Sequence, residues 1–221
     1  MNRFRGALEA CVLVLVALGL CAVVGVLNPL PRPGVGTDAL GPDNGETVED
    51  YARRAASSVE DAHADTDRHW ALVSFSSATS PARAYDAAGE VRIAQVLLRV
   101  PMERVQTQVI AIGVAGNSRS VISSEDIAAS RLQGSTGQWD RQSQIDAASA
   151  SRLASGCDCV VGLIVYATGD ELGTLVDVPE VRAVEALPAD AVAGKFAVRA
   201  FLPEYVDVVG PLPDDGPIPP P

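Results

Sequence analysis

Between Ala10 and Leu27 the chain runs for 18 residues without a charge, ACVLVLVALGLCAVVGVL. At a rise of 1.5 Å per residue such a helix measures about 27 Å, close to the roughly 30 Å hydrocarbon core of a bilayer. A helix satisfies its own backbone there, as a spanning segment must. A cleaved signal peptide has a shorter apolar region, about 7–15 residues, and ends in a small-residue site of the A-x-A kind. No such site follows Leu27, and Leu20 is the wrong residue before Cys21 for a lipoprotein cleavage. The run therefore predicts an uncleaved transmembrane helix over residues 10–27. Arg3 and Arg5 precede it, whereas Asp38, Asp43 and Glu46 follow with only Arg32 opposing them. The positive-inside rule then keeps residues 1–9 in the cytoplasm and the bulk of the chain outside, as a single-pass signal-anchor protein of the cell membrane.

The remainder has the apolar content of a folded domain: 48% of the 221 residues are hydrophobic, too many for a disordered chain. One ordinary domain plus its attachments fits that length. Lys195 is the single lysine, while alanine, valine, arginine and glycine abound. This bias resembles proteins of high-GC, actinobacterial-type bacteria and their cell envelope. A formal charge of -11 argues against nucleic acid, whose binding needs clustered Lys and Arg to displace counterions.

Residues 28–44 carry Pro29, Pro31, Pro33 and Pro42 among glycines and read as an extended linker. At about 3.1 Å per residue it reaches at most about 50 Å from the membrane. Asn44 is a candidate helix cap. Val48, Tyr51, Ala52, Ala55, Val59 and Ala62 fall at helical spacing, with Glu49/Arg53 and Asp50/Arg54 as i,i+4 pairs, so an amphipathic stalk helix is expected over residues 45–68. The main domain is expected over residues 69–210, and a fragment over 46–210 to fold without the anchor. The last residues, GPLPDDGPIPPP, read as an exposed proline-rich tail over 211–221.

Inside the domain a pattern occurs twice. Residues 72–98 (LVSFSSATSPARAYDAAGEVRIAQVLL) and 163–187 (LIVYATGDELGTLVDVPEVRAVEAL) each run apolar strand, polar break, short helix, turn, second strand. Leu72-Val73 answers Leu163-Ile164, Phe75 answers Tyr166, and Glu90-Val91-Arg92 answers Glu180-Val181-Arg182. Pro81 suits the first turn of the first helix, where a missing N–H costs nothing. Two β-α-β units in one small domain resemble a ferredoxin-like arrangement, an α+β fold whose helices cover one face of an antiparallel sheet. A helical insertion separates them: Val105–Val114 reads as a strand, residues 123–133 as a helix, Gly134–Gly137 as a break, and Gln138–Ser155 as a second helix ending at Gly156. Lys195–Phe201 reads as one further strand.

Leu172, Leu175, Pro179, Val181 and the run VEALP are similar to the last helix and strand of subtilisin-propeptide inhibitor domains. Those domains are themselves ferredoxin-like, so the resemblance implies that fold here. It rests on residues that any helix–turn–strand needs.

The inventory of chemistry is short. Cys157-Asp158-Cys159 stands at the start of a strand in the second copy, and outside the cytoplasm such thiols tend to oxidise. Side chains at i and i+2 of a strand have Cα atoms about 6.5–7 Å apart, at the limit of what a disulfide spans. An intrachain Cys157–Cys159 bond therefore needs a bend, which Gly156 permits. Free buried thiols and an intermolecular link are the alternatives. Redox catalysis of the thioredoxin kind uses C-x-x-C at a helix start, a context absent here, so disulfide exchange is not expected. The two histidines, His63 and His69, lie among Asp61, Asp65 and Asp67. Asp61/Asp65 or His63/Asp67 would share a helix face for zinc if the stalk helix continued, but a polar hinge is the plainer reading. No histidine follows residue 69, no G-x-S-x-G, Walker loop or G-x-G-x-x-G occurs, and Trp70 and Trp139 read as packing residues. No catalytic, cofactor-binding or metal-ligating residue is assigned.

The expectation is a non-catalytic, membrane-tethered extracytoplasmic module that binds a protein or cell-wall partner. It would use an open sheet face or an edge strand at Val181–Leu187 or Lys195–Phe201. The alternative is an envelope enzyme or small-molecule sensor with its site between the sheet and the 115–156 insertion.

Overall fold

Strand β2 (Arg68–Thr79) and strand β5 (Val160–Thr168) are the apolar centre of the domain, and each is flanked on both edges. A computed structural model describes residues 38–133 and 140–220, inside a compact unit running from residue 37 to 221. In chain order the remaining elements are β1 (Ala39–Leu40), α1 (Val48–Ala62), α2 (Pro81–Ala88), β3 (Arg92–Leu98), β4 (Ile110–Gly113), α3 (Ser118–Ile122), α4 (Ser124–Gln133), α5 (Arg141–Ala154), α6 (Gly169–Val176), β6 (Val181–Ala186) and β7 (Ala197–Val198). The protein is thus α+β, as expected. Its main sheet has the order β4-β3-β5-β2-β6, with every neighbouring pair antiparallel, and β1 pairs with β7 in parallel. The expected transmembrane helix over residues 10–27 and the glycine break at 134–137 lie outside the described residues, as does Trp139. Among the described residues no helix is long and apolar enough to cross a membrane.

Both β-α-β units are present, β2-α2-β3 and β5-α6-β6. Ser80 caps α2 through its hydroxyl and Pro81 sits in the first turn. Thr168 and Glu171 close a capping box on α6, which satisfies two of the backbone N–H groups a helix start leaves free. The residue-for-residue match of the two copies, however, fails in their first strands. Leu72 faces the same layer as Leu97 and Ile164, whereas its supposed counterpart Leu163 lies in the helix-side core with Val73 and Phe75. A one-residue offset in a strand moves every side chain to the opposite face.

Among the described residues both faces of the sheet are covered. On one side α2, α4, α5 and α6 bury Ala84, Ala128, Leu132, Ile145, Leu153 and Leu172 against Val73, Val96, Leu163 and Val165. On the other side Leu72, Leu97, Val161 and Ile164 lie beneath Leu40, Leu187, Ala191, Ala200 and Leu202, which come from the two ends of the domain. Trp70 stacks on Tyr166 with ring centroids 4.7 Å apart and touches Phe196 at 5.8 Å.

The stalk helix is shorter than expected and is part of the domain. Thr47, not Asn44, caps it, and it stops at Ala62. It lies along β6, the outer strand of the sheet. Val59 and Ala62 join the helix-side core, while Tyr51 and Ala55 pack with Phe201 and Val209. Ser58 Oγ accepts the N–H of Ala186 at 2.9 Å, so the helix occupies the edge that strand addition at Val181–Leu187 would require. Lys195–Phe201 contributes only the two residues of β7, already paired with β1. The linker ends earlier than expected, because Leu40 is buried and Gly41 is bonded into the domain. The proline-rich tail is a strap. The Gly216 N–H donates to the Arg104 carbonyl at 2.7 Å, Asp214 pairs with Arg141 at 3.0 Å and Asp215 pairs with Arg104, and Ile218 packs on the main core. A Cβ on Gly216 would fall 2.4 Å from the Glu103 carbonyl oxygen, which explains the glycine.

Candidate functional site

The two repeat helices, α2 and α6, leave a groove between them on the helical side. One part, of about 570 Å³, is lined by Asp86–Val91 and by Asp170, Glu171, Thr174, Leu175 and Val178. A second, of about 330 Å³, shares Asp86, Ala87 and Val178 and continues along Phe75, Thr79, Arg83 and Glu180. The floor is apolar: Val91 and Leu175 belong to the main core, Ala87 packs against it, and Val178 is half-buried beside them. The rim is acidic. Glu171 is committed to the α6 cap and to Arg68 at 3.2 Å. Asp86, Glu90, Asp170 and Glu180 make no ion pair among the described residues. Arg83 is the one cation lining either part among the described residues.

Between the sheet and the insertion, where an enzyme or sensor site was the alternative, the described residues of α4 and α5 pack directly on the sheet. Ala128, Ala129, Leu132, Ile145, Ala148 and Leu153 of α4 and α5 belong to the same buried cluster as the sheet residues.

The histidine region forms no shared helix face, because α1 ends at Ala62. His63 Nδ1 lies 2.7 Å from the Val59 carbonyl. His69, buried on β2, holds its Nδ1 at 2.8 Å from the Leu187 carbonyl and its Nε2 at 3.2 Å from Asp65. The Asp65 carboxyl is held below the usual range by the Asp67 N–H and then by His69. These contacts tie the α1–β2 hinge to the end of β6. Gly169 and Gly173 make the approach possible: a Cβ at Gly169 would meet the Ala62 carbonyl oxygen at 2.3 Å, and one at Gly173 would meet His63 Nε2 at 2.8 Å.

Sequence reasoning missed the buried carboxylate Glu185. It accepts from the Gly41 N–H, from Tyr51 Oη at 3.1 Å and from Arg54. Arg54 also reaches Glu46 at 3.0 Å, rather than the expected Asp50. Burial pushes the Glu185 carboxyl up against the pull of these donors, and burial followed by the charge of Glu185 keeps the Tyr51 phenol protonated far above its usual range. This cluster joins β1, α1 and β6, and its role is structural. A periodic pattern counts Glu185 as an outward residue, so only the β1 contact reveals it.

Cys157 and Cys159 are joined in a disulfide with Cα atoms 5.3 Å apart, closer than an extended strand allows. The bend at Asp158, the residue between them, provides the compression. Glu125, at the start of α4, accepts the Cys157 N–H at 3.3 Å, and its carboxylate lies within 4.8 Å of both sulfurs.

No protein-family model, curated protein or solved structure matches the chain.

Proposed function

We propose that this chain is a membrane-tethered, extracytoplasmic binding module of the bacterial cell envelope, and that its groove between α2 and α6 receives a basic, amphipathic segment of a partner protein. The observation that carries this reading is the pairing of an apolar floor with four carboxylates, Asp86, Glu90, Asp170 and Glu180, that make no ion pair among the described residues. An apolar face laid into such a groove loses its hydration, while Lys or Arg at its margins meets the acidic rim. The uncharged run at 10–27 and the flanking charges support the anchor and its orientation, with the N-terminus in the cytoplasm. Taken without β4, the strand order β3-β5-β2-β6 built from two β-α-β units supports a ferredoxin-like reading of the fold.

Proximity labelling from the full-length protein in its own host tests the reading, with a triple Asp86→Lys, Glu90→Lys, Asp170→Lys variant as the comparison. The reading requires a labelled envelope protein that the variant loses. Identical labelling by both, or labelling of wall material alone, refutes the groove as the docking site.

A further inference from the structure

We propose that Cys157 and Cys159 are a thiol–disulfide exchange couple acting on the thiols of a partner protein, with Glu125 passing the proton to and from the buried sulfur. This goes beyond the groove, which is built from other elements. The bond ties together nothing that is otherwise apart: it encloses only Asp158, and closing so short a loop removes little entropy from the unfolded chain. The strand that follows, β5, is already held by β2 on one side and β3 on the other.

The two sulfurs are unequal. Cys159 is fully buried, whereas Cys157 is partly exposed. An incoming thiolate therefore reaches Cys157, and Cys159 is the leaving group. A thiolate on Cys159 would form inside the apolar cluster, beside Glu125 and next in sequence to Asp158, a setting that disfavours negative sulfur. It needs a proton at once. A Glu125 carboxylate oxygen lies within 4.8 Å of both sulfurs and is fixed by the Cys157 N–H; burial raises this carboxyl above the usual range against the pull of that N–H, with the charges of Asp126 and Asp158 adding to the rise.

The exchange balances. A partner thiolate attacks Cys157 Sγ, forming a mixed disulfide as the Cys157–Cys159 bond breaks. The electron pair leaves on Cys159 Sγ, which takes the proton of Glu125. The partner's second thiol gives its proton back to Glu125 and attacks the partner's own sulfur in the mixed disulfide. Cys157 then leaves as a thiolate and is protonated from solvent. Two electrons pass from the partner's dithiol to the cysteine pair, and the partner is oxidised to a disulfide.

The test uses the full-length chain in detergent, with dithiothreitol as reductant and oxidised glutathione as the labelling probe, and counts thiols at each cysteine by alkylation and peptide mass spectrometry. In the native state dithiothreitol should open the bond within minutes. In a Cys159→Ser variant the Cys157 thiolate should attack oxidised glutathione, keeping one glutathionyl group and releasing the other as reduced glutathione, and in a Cys157→Ser variant Cys159 should stay unmodified. Glu125→Gln keeps an acceptor for the Cys157 N–H but has no proton to pass, so reduction should slow about ten- to a hundredfold, at or below the usual contribution of a positioned general acid. The proposal is overturned if the bond opens only in denaturant, if glutathione attaches at Cys159, or if folded Glu125→Gln reacts as fast as wild type. The first of these is read on the wild-type chain alone, so a variant that failed to fold would not shield the proposal.

Discussion

Replacing Glu185 by alanine tests whether α1 belongs to the domain or merely stands beneath it. The carboxylate serves the Gly41 N–H of the β1 turn and the Tyr51 hydroxyl of α1, and Tyr51 is wholly buried. Each donor left without a partner costs about 1–3 kcal/mol. Arg54 keeps Glu46 at 3.0 Å and the Gly41 carbonyl at 3.2 Å, and its half-exposed guanidinium adds little. Part of the loss is offset because a carboxylate no longer has to be buried. The net cost is about 2–4 kcal/mol. Tyr51→Phe removes one hydrogen bond and leaves Glu185 its other donors, so it should cost about 1 kcal/mol. In the double variant there is no Tyr51 hydroxyl to orphan, and the combined cost should fall short of the sum by about 1 kcal/mol. Urea unfolding of residues 37–221 measures all three values. A Glu185→Ala cost below about 1 kcal/mol, or strict additivity with Tyr51→Phe, would refute the account of this cluster.

Other consequences follow from the same contacts. A fragment over residues 46–210 lacks Leu40 and the Gly41 donor, so it should be less stable than 37–221 by at least about 2 kcal/mol, the worth of one buried leucine; equal urea midpoints would show that the terminal layer contributes nothing. Gly169→Ala pushes a methyl into the Ala62 carbonyl and should cost about 2 kcal/mol, as overpacking does, which a thermal melt would read. Because burial raises the Glu125 carboxyl, the folded protein holds that proton to higher pH than the unfolded chain. Its contribution to stability is therefore present below the ordinary glutamate value and lost as pH rises through the folded one. Glu125→Gln should flatten that part of the profile, and an unchanged slope between pH 4 and 7 would contradict the burial argument.

Much of the helical side was legible from sequence because its signals are local. Ser80-Pro81 announces a helix start, and the near-continuous apolar runs of β2 and β5 mark strands buried on both faces. The terminal layer was not legible. Residues 188–205 carry prolines, alanines and a glycine without a period, and they fold only because Leu72, Leu97 and Ile164 present a surface for Leu187, Ala200 and Leu202 to cover. The strap at 211–220 is similar, since its contacts depend on Arg104 and Arg141 from distant elements. Glycine at 169 looked like a break and is instead the contact point of α1 and α6. The groove was hidden for a simpler reason: Asp86, Glu90, Asp170 and Glu180 leave no spacing signature, and only the pairing of the two units brings them together.

The groove itself is tested most directly by nuclear magnetic resonance on isotope-labelled residues 37–221, titrated with a short helical peptide of leucine on one face and lysine on the other. Shift changes should concentrate at residues 86–91 and 170–178, weaken as salt is raised, and disappear in the Asp86→Lys, Glu90→Lys, Asp170→Lys variant. Changes scattered over the surface, or unaltered by the charge reversal, would contradict the proposed binding site.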